Sequence, residues 1–300
     1  MSSFEHLLSE VLEHGERRTD RTGTGTLSLF APDPLRYDLR DGRVALITSK
    51  KVPWKMALNE FMWMLTGSTN VEHLRQWSPA MANIWEAWAN ADGKLGPTYG
   101  AQYRDAGGSL TSGEEVWGVP GGKPDYGVDQ LREVVLRLMD NRDTRRAVLS
   151  LWSVPELRDM AIEPCMVLFQ FSLRGPNYDQ LHVHVYQRSA DMMLGVPFDL
   201  FQASMLAHLV ARELTLLQPA RPITAAGLTW SAGDVHIYSN QFAAAREQLV
   251  QAESAGQMSA TIDIDTFPSL RLLDSTLEPS HITIRNYNPA PAIDAGKPAV

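Results

Sequence analysis

Apolar residues fall at helical spacing near the start of the chain, with Phe4, Leu7, Leu8, Val11 and Leu12 marking one face over residues 3–18. The polar run Asp20-Arg21-Thr22-Gly23-Thr24-Gly25-Thr26 then requires a turn. Apolar runs at 27–30, 43–48, 147–152, 167–173 and 181–186 predict strands, the last two joined as a hairpin through Gly175-Pro176-Asn177. Residues 54–66 and 199–217 are apolar on nearly every face and predict buried helices, whereas 128–141 predicts an amphipathic one. The glycine-rich stretch 105–127 predicts an irregular insertion. Strands with mixed connections beside two buried helices indicate an α+β fold, in one domain spanning residues 1–300.

One position breaks the apolar pattern of the 54–66 helix. Glu60 lies inside it, and burying a carboxylate is costly unless it is paired or hydrogen-bonded, so Glu60 is a candidate functional acid. Composition is that of an ordinary soluble protein, with 44% hydrophobic and 21% charged residues over 300 positions. The net charge of −8 disfavours a polynucleotide partner, but a few grouped arginines suffice for a small phosphorylated ligand. A single cysteine makes no intrachain disulfide, Met1 to His6 show no basic-then-apolar leader, and no window suits a membrane span. A cytoplasmic location is the resulting expectation.

That cysteine, Cys165, lies in Ile162-Glu163-Pro164-Cys165-Met166. It reads either as a buried inert thiol or as a nucleophile beside an anion site. Gln187-Arg188-Ser189 follows an apolar strand, and an arginine fork with a hydroxyl donor suits a phosphate dianion. Arg145-Arg146 reads as a solvated strand start or as further phosphate ligands. The loop 21–26 reads as a plain turn or as one whose glycines bring backbone N–H groups to an anion, though it is not a Walker loop. His236 and Tyr238 alternate onto one strand face, as a structural pair or as ligands of a sugar hydroxyl. His182 and His184 share a face too, but with no acid or cysteine at ligand spacing a metal site is not expected. Trp85 and Trp88 suit a core or the face of a flat ring.

Taken in order, these segments resemble thymidylate synthase across essentially the whole chain. The matching stretches are Asp20-Arg21-Thr22-Gly23-Thr24-Gly25-Thr26, Glu60 with Trp63 and Gly67-Ser68-Thr69-Asn70, Ile84-Trp85-Glu86-Ala87-Trp88, Leu95-Gly96-Pro97-Thr98-Tyr99-Gly100, Thr144-Arg145-Arg146, Pro164-Cys165, Gln187-Arg188-Ser189-Ala190-Asp191, Leu194-Gly195-Val196-Pro197-Phe198 and Gly233-Asp234-Val235-His236-Ile237-Tyr238. The resemblance implies a bent mixed β-sheet flanked by helices, packed back to back with a second copy in a homodimer. It implies that Cys165 adds to C6 of a pyrimidine nucleotide while 5,10-methylenetetrahydrofolate, as co-substrate and with no metal, supplies carbon to C5. Carried over by position, Arg21, Gln187, Arg188 and Ser189 hold the nucleotide, Arg145 and Arg146 complete the partner's phosphate site, and His236 and Tyr238 hold the sugar. Glu60 and Tyr99 serve proton transfer. Lys50, Trp85, Trp88, Ile162, Asp191, Leu194, Gly195, Phe198 and Val300 line the folate side.

Two departures redirect the expectation. Members of that family carry asparagine where this chain has Asp199, and histidine where it has Met166. A carboxamide complements the N3–H donor and O4 acceptor of uracil. Cytosine offers the reverse pattern, which a protonated Asp matches, as does an ionised Asp against N3-protonated cytosine. An amino group at C4 also needs no histidine-organised water near O4. The expectation is therefore a catalyst of one-carbon transfer to deoxycytidylate, with the apolar seal of Trp85, Trp88 and the C-terminal Val300 favouring a methyl over a hydroxymethyl product, and Ser189 favouring the deoxynucleotide. The cationic phosphate site is expected to favour the Cys165 thiolate.

Overall fold

The computed structural model describes residues 3–19, 23–111 and 127–296. Arg21, Val300 and most of the predicted 105–127 insertion lie outside the described residues. Helix α1 (Ser3–His14) stops four residues short of the predicted end. Gly15 ends it: a Cβ there would lie 2.3 Å from the Val11 carbonyl oxygen. Strand β1 (Glu16–Arg18) begins at once and pairs with β2 (Thr26–Phe30), followed by β3 (Leu35–Asp38).

The strand predicted at 43–48 is not formed. Arg43 makes a single bridge to Thr261, and the buried stretch after it finds its partners piecemeal. The Val44 N–H bonds the Ala260 carbonyl and the Ala45 N–H bonds Ser204 Oγ at 3.1 Å. An apolar run thus reports burial here and not a ladder. Helices α2 (Trp54–Leu65), α3 (Val71–Trp77), α4 (Pro79–Trp85), α5 (Tyr99–Arg104) and α6 (Gln130–Asp140) come next. Strands β4 (Val148–Ser150), β5 (Met166–Arg174) and β6 (Gln180–Asp191) then lead into the long helix α7 (Gly195–Leu217). The chain continues through β7 (Thr224–Tyr238), α8 (Phe242–Ala252) and a small hairpin of β8 (Thr261–Ile264) and β9 (Ile282–Arg285).

Helix α7 begins four residues before its predicted start and takes in Pro197, which a first turn tolerates. Just before it, Asp191 Oδ1 accepts the Met193 and Leu194 N–H groups at 2.8 and 3.2 Å and shapes the turn that leads into the helix. The hairpin of β5 and β6 is formed as expected.

Among the described residues the main sheet runs β1-β2-β7-β6-β5-β4, with β3 also on β7. Only the β6–β7 pairing is parallel, so the sheet is mixed, and α7 packs on it between these strands and α2. Among the described residues, helices cover one side alone. On β6, buried Leu181, Val183, Val185 and Gln187 alternate with exposed His182, His184 and Tyr186, which face the uncovered side.

Candidate active site

Cys165 directly precedes β5, beside a register irregularity between Met166 and Leu168. Its backbone is held from two sides. The Cys165 N–H donates to Tyr99 Oη at 2.7 Å, and its carbonyl accepts the Arg188 N–H at 2.8 Å. The nucleophile candidate is therefore fixed between the first residue of α5 and the end of β6. The Arg188 side chain folds back over it, with Nε on the Pro164 carbonyl at 3.0 Å and Nη2 on the Glu163 carbonyl at 2.8 Å. Its guanidinium lies over the Trp152 ring at 5.3 Å, a cation–π contact.

Glu60 is 9% exposed on α2, and both oxygens are held. Trp85 Nε1 donates to Oε1 at 2.6 Å and Gln202 Nε2 to Oε2 at 2.7 Å. Burial pushes the carboxyl up to about 7 even though both donors oppose the shift. Trp85 meets Trp63, Trp88 and Tyr99 edge-on at 5.7, 5.8 and 6.0 Å. Glu60, Trp85, Tyr99 and Cys165 thus form one contiguous row. Burial also raises the Tyr99 phenol, with the Cys165 and Asp199 charges adding to the shift.

Asp199 stands in the second turn of α7. Gln187 Nε2 donates to its Oδ2 at 2.7 Å and to the Ser189 carbonyl at 2.9 Å, while Gln187 Oε1 accepts from Trp230 Nε1 at 2.8 Å. An indole nitrogen only donates, so the Gln187 carboxamide has one permitted orientation and its NH2 faces Asp199. Burial pushes Asp199 up to about 7, with repulsion from Glu60 and Asp191 adding to it and the Gln187 bond opposing. Two carboxyls that both titrate near neutrality therefore share the site.

The Cys165 thiol departs from expectation. Burial and the Asp199 charge raise it, and Arg188 and Tyr99 offset only part of that rise. The arginine favours the thiolate, as the sequence suggested, but is outweighed in the free protein.

His236 and Tyr238 share a face of β7, their rings edge-on with centroids 5.1 Å apart. In register, β6 places Ser189 beside Asp234 and Asp191 beside His236, so the proposed phosphate, sugar and folate residues adjoin. Gly195 marks the passage between the last of these and Asp199, since a Cβ there would come 3.6 Å from Asp199 Oδ2 and 3.9 Å from Asp191 Cβ. Trp88, Ile162, Leu194 and Phe198 are left only partly buried, which suits packing against the face of a flat ring such as a pterin. Lys50 is turned inward instead, its Nζ on the Met193 carbonyl; burial lowers it to about 8 against the attraction of Asp191.

Arg145 and Arg146 are exposed, and among the described residues neither guanidinium makes an ion pair or hydrogen bond. His184 pairs with Ser231 Oγ at 2.8 Å on the uncovered side of the sheet. Several residues of the site were missed from the sequence. Gln202 is a polar residue inside the apolar helix α7, the same signal that found Glu60 on α2. Trp152 and Trp230 gave no such signal, because an aromatic side chain reads as core until its partner is known.

Among the described residues no helix is long and apolar enough to cross a membrane. A family model described as thymidylate synthase matches residues 2–299. A match of this extent shows that the chain belongs to the thymidylate synthase family, whose members work as homodimers and transfer one carbon from methylenetetrahydrofolate to C5 of a pyrimidine nucleotide.

Proposed function

We propose that this chain methylates deoxycytidylate at C5, giving 5-methyldeoxycytidylate and dihydrofolate. The observation that carries the reading is Asp199 and the fixed donor behind it. Because Gln187 must donate to Oδ2, it favours Asp199 in its ionised, acceptor-only form. One oxygen then accepts from a protonated cytosine N3 and the other from the 4-amino group, with the N3 proton shared between ring and carboxylate. Against uracil, an ionised Asp199 would meet O4 with no proton to give, at a cost of about 1–3 kcal/mol. Its carboxyl stands near 7, so the shared proton is available at neutral pH.

The chemistry follows from the same contacts. Arg188 and Ser189 hold the 5′-phosphate, and His236 and Tyr238 the sugar. The Cys165 sulfur bonds to C6, the C5=C6 pair moves onto C5, and the proton shared between Asp199 and N3 keeps charge from building on the ring. Neutralising Asp199 in this way also removes the repulsion that raises the thiol. When bound, the folate co-substrate supplies the carbon and, for a methyl product, the hydride. Glu60, near 7, and Tyr99, hydrogen-bonded to the Cys165 backbone, are placed to relay the C5 proton as the new bond matures. The Trp85–Trp88 pair beside them excludes water, which favours hydride over hydroxide at the last step.

The second copy has a natural seat on the uncovered face of the sheet, around exposed Val148, His184 and Tyr186. Arg145 and Arg146, uncommitted within the protomer, are then the residues that reach the partner's phosphate site. The test is a mass-spectrometric product assay with deoxycytidylate, deoxyuridylate and cytidylate in competition, with methylenetetrahydrofolate present and dihydrofolate absorbance followed. Methyldeoxycytidylate formed with dihydrofolate is expected. Hydroxymethyldeoxycytidylate without dihydrofolate keeps the base assignment and overturns the methyl one, and thymidylate as main product overturns both.

A further inference from the structure

His236 is held by a two-bond chain that starts on a different strand. Ser28 of β2 lies in register with His236 of β7, and Asp234 precedes His236 by two residues on the same face. Ser28 Oγ donates to Asp234 Oδ2 at 2.7 Å, and Asp234 Oδ1 lies 2.8 Å from His236 Nδ1. Burial pushes the Asp234 carboxyl up, but the bonds from His236 and Ser28 more than offset it and bring it below its usual range. The carboxyl is therefore ionised at neutral pH and can only accept. The hydrogen between the two residues must sit on Nδ1, and a neutral ring then has a bare lone pair on Nε2. Tyr238, edge-on at 5.1 Å, fixes the ring plane.

We propose that Asp234, braced by Ser28, is a positioning residue that sets the His236 tautomer, so that Nε2 accepts a hydrogen bond from the substrate 3′-hydroxyl. The inference rests on the sugar role given to His236 above. It implies that this position of the sugar must bring a donor. A 3′-deoxy nucleotide offers none, and a 3′-phosphate presents an acceptor to an acceptor. Without Asp234 the ring populates both tautomers, and in the one with Nε2–H the hydroxyl must turn to accept, leaving its own hydrogen without the His236 partner.

The experiment compares binding of deoxycytidylate and 2′,3′-dideoxycytidine 5′-monophosphate to the full chain and to Asp234→Ala, with the deoxyuridylate pair run in parallel so that the result does not depend on the base. The wild-type protein is expected to bind the 3′-hydroxyl form at least about tenfold tighter. Asp234→Ala is expected to lose about that factor for the hydroxyl form and nothing for the deoxy form, so that their ratio collapses toward one. Equal weakening of both ligands would mark a structural role and overturn the proposal. A wild-type ratio near one would instead overturn the sugar role of His236 itself. Nitrogen NMR of histidine-labelled protein, with the His236 signals assigned through His236→Gln, gives a second readout. Nδ1-protonated imidazole is expected in the wild type and a tautomer mixture in Asp234→Ala. Asp234→Asn, which keeps a carbonyl acceptor and most of the shape, should retain part of the ratio. If Asp234→Ala fails to fold, no change in either ratio or tautomer in Asp234→Asn combined with Ser28→Ala overturns the proposal.

Discussion

In the proposed function, a single atom-level choice at residue 199 decides which base the site accepts. Gln187, locked by the Trp230 indole, gives its hydrogen to whatever oxygen residue 199 presents. An asparagine there would turn its carbonyl to Gln187 and its NH2 outward, toward an acceptor such as O4. Asp199 has no NH2 to offer and waits for a proton. That proton has a thermodynamic signature. Asp199 titrates near 7 in the folded chain and near 4 when unfolded, so between these values the folded state holds a proton the unfolded state has released. Its contribution to stability is full below about pH 4 and is lost as pH rises through about 7. Asp199→Asn removes this loss. Urea unfolding should find the variant gaining on the wild type by about 2 kcal/mol between pH 5 and pH 8; a constant difference across that range would contradict the raised carboxyl.

At the scale of elements, the site is a set of bridges between segments that the sequence places far apart. Gln202 of α7 holds Glu60 of α2, and also bonds the Ala57 carbonyl at 3.1 Å, so one carboxamide ties the two buried helices together. In Gln202→Leu the Glu60 carboxyl loses a donor to its charged form and should titrate about one unit higher. The corresponding limb of the kcat profile then moves to higher pH, with activity at pH 7 reduced; an unmoved limb would separate Glu60 from the proton relay. Much of this architecture was legible beforehand. The buried helices, the β5–β6 hairpin and the shared face of His236 and Tyr238 all follow from periodicity, because burial and alternation leave a direct trace in residue order. The failures share a cause. Residues 43–48 are as apolar as a strand, yet take their hydrogen bonds from Ala260 and Ser204, and no local pattern reports partners so far away. The raised Cys165 thiol was missed for the same reason: the arginine was visible near it in sequence, whereas burial and the Asp199 charge belong to the assembled fold.

For the whole molecule, the one-sided helical covering of the sheet and the uncommitted Arg145 and Arg146 make a joint prediction. If each site borrows both arginines from its neighbour, Arg145→Ala/Arg146→Ala and Cys165→Ala are each inactive as pure dimers. Mixed after reversible dissociation, they should regain about a quarter of wild-type activity, since half of the dimers are hybrids and each hybrid holds one complete site. No recovery, in a mixture shown by mass to contain hybrids, would place the arginines in their own subunit's site, and a pure Arg145→Ala/Arg146→Ala dimer that stays active would place them in neither.

The central claim, that Asp199 makes this member of the thymidylate synthase family a cytosine-nucleotide enzyme, is tested most directly by the ratio of kcat/KM for deoxycytidylate to that for deoxyuridylate, measured in the wild type and in Asp199→Asn. The account predicts a ratio above one in the wild type that falls by about 100-fold or more in the variant and inverts, the exchange of two hydrogen-bond polarities at a buried site. A wild type that prefers deoxyuridylate, or a ratio untouched by the substitution, would contradict it.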